Sequence, residues 1–270
     1  MLEPIATFEQ HAGWSVYRSD AFPHYYGGNG LELDAPGRSL HEWEDLFRAA
    51  FDPAVYGHVT LSLSGDLEAF APLADEARAA GYHVSVDVYL VATKPVPVRA
   101  PLPGLQLEWL RGQESWDRLR RFEGRLAQGY DWYDGPESSD GLFAKTRFIS
   151  EQIGIEWVAL VDGQREIRSK LGLFRHGRVC RLQDVATERG HRRRGLATRL
   201  LAVALRRALI DLEADGLVVC AEQGHDAISL YRRLGFQEVG EAMTLMRYPV
   251  RNPQATENPA PSPPSPSTAG

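Results

Sequence analysis

The sequence predicts an α/β (α+β) fold: a mixed, mostly antiparallel central sheet flanked by helices, preceded by a smaller N-terminal α/β unit. Three observations predict it. Strand-like and helix-like stretches alternate from Leu105 to Tyr248, with short turns at Asp162-Gly163 and His176-Gly177 that suit antiparallel hairpins. A shorter run over residues 58–91 echoes part of that alternation. Four prolines between Lys94 and Gly104 separate the two, and proline at that density favours an extended connector.

The elements follow in order. In the first unit, His58–Ser64 reads as a strand, Leu67–Ala80 as a helix ended at Gly81-Tyr82, and Val84–Val91 as an alternating strand. Leu105–Leu110 is a short strand. Glu114–Gln128 sets Trp116, Leu119, Phe122 and Leu126 at helical spacing, and a second helix follows over about 141–153. The hairpin turns join strands at Ile155–Val161, Ile167–Phe174 and Val179–Ala186. Leu196–Glu213 is amphipathic, with Leu196, Leu200, Val203 or Ala204, and Leu212 on one face, and Gly216 is expected as its C′ residue. Leu217–Ala221 is a strand, Ala227–Leu234 a helix ended by Gly235, and Val239–Tyr248 holds the closing strands. The expected division is therefore 1–98, a connector at 99–104, 105–248, and a tail over 249–270. The tail's Pro, Ser, Ala and Asn leave almost nothing to bury, which predicts disorder.

Composition narrows the function classes. A chain of 270 residues with 43% hydrophobic content can bury one large or two modest cores. No apolar run approaches the roughly 20 residues of a membrane span. The opening Met-Leu-Glu-Pro-Ile-Ala-Thr-Phe-Glu has no basic segment leading into an apolar one, so a signal peptide is not expected. Cys180 and Cys220 both lie in apolar strands and read as two buried thiols of a cytoplasmic protein. A net charge of −6 argues against a binder of nucleic acid, and the arginines near residue 190 are too short a run, without interleaved aromatics, to reverse that. No spacing of His, Asp or Glu suggests a metal. A monomer and a homodimer are equally compatible with the sequence.

The stretch Thr187–Thr198 carries the chemistry. It follows a strand and opens a helix, where backbone N–H groups lack intrahelical partners and the helix dipole adds partial positive charge. Gly195 has no side chain to hold a ligand off the backbone, and Ala197 has only a methyl group. A diphosphate could sit on the amides of about five consecutive residues, with Arg189, Arg192, Arg193 and Arg194 as countercharge.

Arg192, Gly195 and Ala197 stand at an Arg-x-x-Gly-x-Ala spacing that resembles the pyrophosphate-binding signature of the GNAT superfamily of acyl-CoA N-acyltransferases. About thirty residues on, Leu230-Tyr231-Arg232-Arg233-Leu234-Gly235-Phe236 resembles that family's Leu-Tyr-x-x-x-Gly-Phe helix ending. The resemblance covers roughly residues 103–248. It implies acetyl-CoA as co-substrate, an amine acceptor and no metal. It also implies the element order strand-helix-helix-strand-strand-strand-helix-strand-helix-strand-strand. CoA would bind through Arg192, Arg193, Arg194, Gly195, Leu196, Ala197 and Thr198, with the backbone of Val185, Ala186 and Thr187 against pantetheine. One departure stands out: Gly224 occupies the place, seven residues before Tyr231, where family members often carry Asn.

Acyl transfer from a thioester to an amine needs a neutral amine, stabilisation of the carbonyl oxygen and a proton for the leaving thiolate. Tyr231 matches the tyrosine that serves as general acid in many relatives; packing on the apolar helix face beside Leu230 and Leu234 is the alternative role. Asp184 is the candidate base or water-positioning group, and an ordinary strand-end aspartate is the alternative. Glu222, at the end of the next strand, is the reserve candidate for the base and also stands on the acceptor side. Tyr130 and Trp132, with Asp131, Tyr133 and Asp134, would suit a cationic amine, or form a partly packed loop. The first unit has no phosphate-binding signature: Tyr25-Tyr26-Gly27-Gly28-Asn29-Gly30 lacks the Lys-Ser/Thr of a P-loop and reads as a tight turn. The unit reads as a degenerate half-copy that no longer binds CoA. A non-catalytic acyl-CoA sensor is the competing function.

Overall fold

The structure, a computed structural model, describes residues 6–98, 100–128 and 136–248, with side chains in the segment 136–139 left aside. Tyr130, Trp132 and their neighbours Asp131, Tyr133 and Asp134 lie outside the described residues, as does the tail from Pro249.

The first half contains β1 (Thr7–His11), β2 (Trp14–Arg18), β3 (Gly30–Leu33), α1 (Leu40–Ala50), β4 (Val59–Ser64), α2 (Ala71–Ala79) and β5 (His83–Ala92). The second contains β6 (Gln106–Leu110), α3 (Gly112–Ala127), α4 (Pro136–Ile153), β7 (Glu156–Val161), β8 (Ile167–His176) and β9 (Val179–Thr187). It continues with α5 (Leu196–Arg206), β10 (Gly216–Glu222), α6 (Asp226–Arg233) and β11 (Gln237–Arg247). The sheet is mixed and mostly antiparallel, as expected. Its two parallel contacts are β3 with β4 and β9 with β10.

Among the described residues, all eleven strands join one sheet in the order β1-β2-β3-β4-β11-β5-β10-β9-β8-β7-β6. The halves exchange their last strands. β5 inserts between β10 and β11, and β11 crosses to pair with β4. This corrects the expectation of two closing strands after α6. Val239–Arg247 belongs to one long strand, β11, whose register shifts between Glu238 and Gly240, and the neighbour of β10 comes from the first half. The echo is also fuller than residues 58–91 suggest. β1-β2-β3-α1-β4-α2-β5 repeats the succession β7-β8-β9-α5-β10-α6-β11, with the parallel pair at the same step of each.

Alternation along each strand sorts the core. On β7, Val158 and Leu160 face the cluster under α5 and α6, whereas Trp157, Ala159 and Val161 face the opposite cluster with Leu119 and Phe122 of α3. On β5, Val88, Leu90 and Ala92 join the α5/α6 cluster. Val84 and Val86 share that face and pack against the first half's cluster, which includes Trp43 and Phe47 of α1. One buried layer thus continues through the exchanged strands.

Gly216 does not cap α5. The helix runs into a π turn at Arg207–Asp211, and Glu213 takes the left-handed φ of 51°. Gly216 starts β10, where a Cβ would come within 2.9 Å of Val91 on β5, so its glycine is a packing requirement of the exchanged strand.

Candidate active site

The parallel ladder between β9 and β10 holds only Val179, Cys180 and Arg181 against Gly216, Leu217 and Val218. β9 continues to Thr187 and β10 to Glu222, but their pairing has ended. The edge of β9 over Val185–Thr187 is therefore not covered by β10. Behind it, the Ser169 hydroxyl donates to Ala186 O at 2.9 Å and shares a hydrogen bond with Thr187 Oγ1, also at 2.9 Å.

β9 leads directly into the arginine-rich turn. Arg192 donates its backbone N–H to Arg189 O at 3.3 Å and its side-chain Nε to Thr187 O at 3.2 Å, closing the turn on itself. Arg193 and Gly195 then adopt left-handed φ values of 61° and 81°. Gly195 is the N-cap of α5 and supplies no side-chain acceptor; the first helical bond is Arg199 N–H to Gly195 O. Among the described residues, the amides of Arg193 through Thr198 have no protein acceptor. Nothing lies within 4 Å of where a Gly195 Cβ would project. The result is a row of unsatisfied donors at a helix start, open in front, with exposed arginines beside it.

The base of this turn is rigidly braced. Glu188 accepts from Arg168 Nη1 at 2.7 Å and Arg125 Nε at 2.9 Å, tying the turn to β8 and α3. Burial alone would raise the Glu188 carboxyl, but these arginines outweigh it and hold it below the ordinary range.

The corresponding helix start in the first half is closed. Ser39 and Glu42 form a capping box, in which Glu42 Oε2 accepts from Ser39 N at 2.8 Å. Glu76 Oε2 accepts from Leu40 N at 3.0 Å. Two of the protein's own carboxylates thus occupy the place that the second half leaves open.

Tyr231 lies on α6 and is 4% exposed, its ring 5.7 Å from that of Phe236. Its hydroxyl has no hydrogen-bond partner among the described residues. Burial, with a lesser contribution from the nearby Cys220, pushes it up to about 12, so it stays protonated at neutral pH. Asp184 is exposed on a bulge of β9, at φ 47°, inside the strand. It accepts from Gln183 Nε2 at 2.8 Å and lies 3.9 Å from Lys170 Nζ. That ammonium is buried, 2.6 Å from Glu123 and 4.4 Å from the Trp157 ring centroid. Glu222 ends β10, directly across from Asp87 of β5. Cys180 is buried and Cys220 half-buried, and both are free thiols.

Four further residues reach this region that the sequence reading did not assign to a site. They are Tyr25, from the tight turn of the first half, and Asp87, Tyr89 and Arg181, from strands. The signal for Asp87 was a lone carboxylate inside an apolar strand. Tyr25 carried none, because its place depends on how the halves dock.

Residues 152–238 match the family described as acetyltransferase (GNAT) domain. Solved structures of similar fold span nearly the whole chain. A functionally unknown conserved protein from Staphylococcus epidermidis aligns at a TM-score of 0.73 with 9% identity, covering 91% of this chain and 95% of that one. A GCN5-related N-acetyltransferase from Kribbella flavida aligns at 0.62 with 17% identity, covering 91% and 90%. A tandem GNAT protein from the clavulanic acid biosynthesis pathway aligns at 0.58 with 16% identity, covering 92% and 85%. No curated protein sequence matches. The matched domain and the folds of these neighbours fit a GNAT protein with an additional N-terminal domain. The domain match supports an acyl-CoA-dependent acetyltransferase in general. No helix among the described residues is long and apolar enough to cross a membrane.

Proposed function

We propose that this protein transfers acetyl from acetyl-CoA to a primary amine of a small molecule or peptide, by direct attack in a ternary complex. The observation that carries the reading is the contrast between the two helix starts. The turn before α5 leaves its amides open beside exposed arginines, while the turn before α1 is filled by Glu42 and Glu76. CoA would place its diphosphate on the amides of the Arg192–Thr198 turn and its pantetheine along Val185–Thr187. Pantetheine would run into the gap where β9 and β10 part. That route brings the thioester towards α6.

The neutral amine attacks the thioester carbonyl carbon, the C–N bond forms and the C–S bond breaks. Tyr231 gives its phenolic proton to the leaving thiolate and recovers one from solvent. The proton lost by the amine passes to Asp184, to Glu222 or to water. No metal is needed for this sequence, and no group of three or more His, Cys, Asp or Glu poised for one occurs among the described residues. The competing role is a non-catalytic acyl-CoA sensor. The test is acetyl-CoA consumption against a panel of amines, with CoA affinity measured by calorimetry. Binding with no transfer to any amine would favour the sensor. Absence of binding would remove both.

A further inference from the structure

The sheet face opposite α5 and α6 carries a polar strip along the seam of the exchanged strands. Directly paired residues share a face, and the register sets them in rows. Arg181 lies beside Val218 and Val91, Cys220 beside Tyr89, and Glu222 beside Asp87. The first and last rows are four residues apart, about 13 Å along the strands, a span the long Arg181 side chain shortens. Above the strip, α4 meets the turn of the first half. The rings of Phe22 and Phe148 are 5.4 Å apart, and Lys145 Nζ sits 3.7 Å from the Tyr25 ring centroid. A buried Asn29 pins that turn, donating to Phe22 O and Tyr25 O at 3.0 Å each.

The charges of the strip are only partly compensated. The side chains of Arg181, Asp87 and Glu222 make no hydrogen bond or ion pair among the described residues, although the Arg181 charge acts on Asp87, and Arg181 Nε is buried without a partner. Two carboxylates facing each other across a strand pair repel, and a buried donor without an acceptor costs free energy. A ligand carrying both a cation and an anion relieves both. We propose that this strip is the acceptor site, and that the acceptor is a small amine bearing a carboxylate, of amino-acid type. Its carboxylate lies on Arg181 and its amino group against Asp87 and Glu222. Tyr25 and Tyr89 bound the site, so both halves build it. Burial, and then the charge of Glu222, raises the Asp87 carboxyl against the opposing charge of Arg181, which favours its taking the ammonium proton before attack.

This proposal rests on the acetyl-transfer reading, and its test separates the two. With the full chain and acetyl-CoA, free amino acids are compared with their C-terminal amides and with putrescine. Amino acids should be turned over, and amides should lose at least roughly tenfold in kcat/KM. Arg181→Gln should raise KM for an amino acid roughly ten- to a hundredfold while leaving the amide and acetyl-CoA affinity unchanged. Arg181→Lys, which keeps the charge without the planar fork, should lie between. Calorimetric binding of the amino acid itself, with and without CoA, reads the strip independently of turnover. Amides or putrescine used as well as amino acids would overturn the proposal. So would Arg181→Gln penalising all acceptors alike, or failure to bind or acetylate any amino acid in a protein that binds acetyl-CoA. Failure to bind acetyl-CoA strikes the transfer reading instead, and amino-acid binding then still decides the strip.

Discussion

Leu90→Ala probes the exchanged strand most directly. Leu90 is fully buried on β5, paired with Val219 of β10 on one side and Glu238 of β11 on the other, within the α5/α6 core. Removing a buried leucine side chain costs about 2–5 kcal/mol, a large part of the roughly 5–15 kcal/mol that stabilises a folded protein. For a unit of this size, that loss lowers Tm by about 4–20 °C. Because β5 is covalently part of the first half but built into the second, both halves should report the same shift. Trp14 and Trp43 report on the first, and Trp109, Trp116 and Trp157 on the second. With Trp132 and one set replaced by Phe, fluorescence-detected urea unfolding follows each half alone. A shift confined to one set, or one under about 1 kcal/mol, would refute the idea that the sheet unfolds as one unit. For the same reason, a protein truncated to begin at Pro101 should not fold stably, since β10 and β11 would lose their common partner.

Other expectations follow from the site. Gly195→Val should abolish calorimetric acetyl-CoA binding. A β-branched residue at φ 81° costs about 1–3 kcal/mol and projects into the open front of the turn. Undiminished affinity in a folded variant would remove the turn as the CoA site. Tyr231→Phe should lower kcat by roughly ten- to a thousandfold with acetyl-CoA affinity little altered, and an unchanged kcat would return Tyr231 to a packing role. Titration should find one CoA per chain, because Glu42 and Glu76 fill the first half's helix start; two equivalents would contradict that. Glu188 is more acidic folded than unfolded, so its contribution is fully present above the ordinary carboxylate pKa. It is lost as pH falls through the lower folded value. Glu188→Gln should therefore flatten the acid limb of Tm against pH, and an unaltered limb would show that its arginine pairs contribute nothing.

The amino-acid sequence by itself determined most elements of the second half, because hairpin turns, helical periodicity and glycine stops act over a few residues. It likewise placed the open turn at Arg192–Thr198 between a strand and a helix, where the φ demands of Gly195 and the lack of a capping side chain are local properties. The first fifty residues were less legible. β2 and β3 are only five and four residues long, although the Ser39–Glu42 capping box was a readable start for α1. Tertiary structure alone decided which strand closes the sheet. β5 and β11 each have an apolar face that satisfies either half equally, so alternation sets which side is buried and is silent about the partner. That choice brings Asp87 of one half opposite Glu222 of the other and Tyr25 under α4. Neither contact has any expression in local sequence, because each joins residues more than a hundred positions apart through backbone pairing and docking.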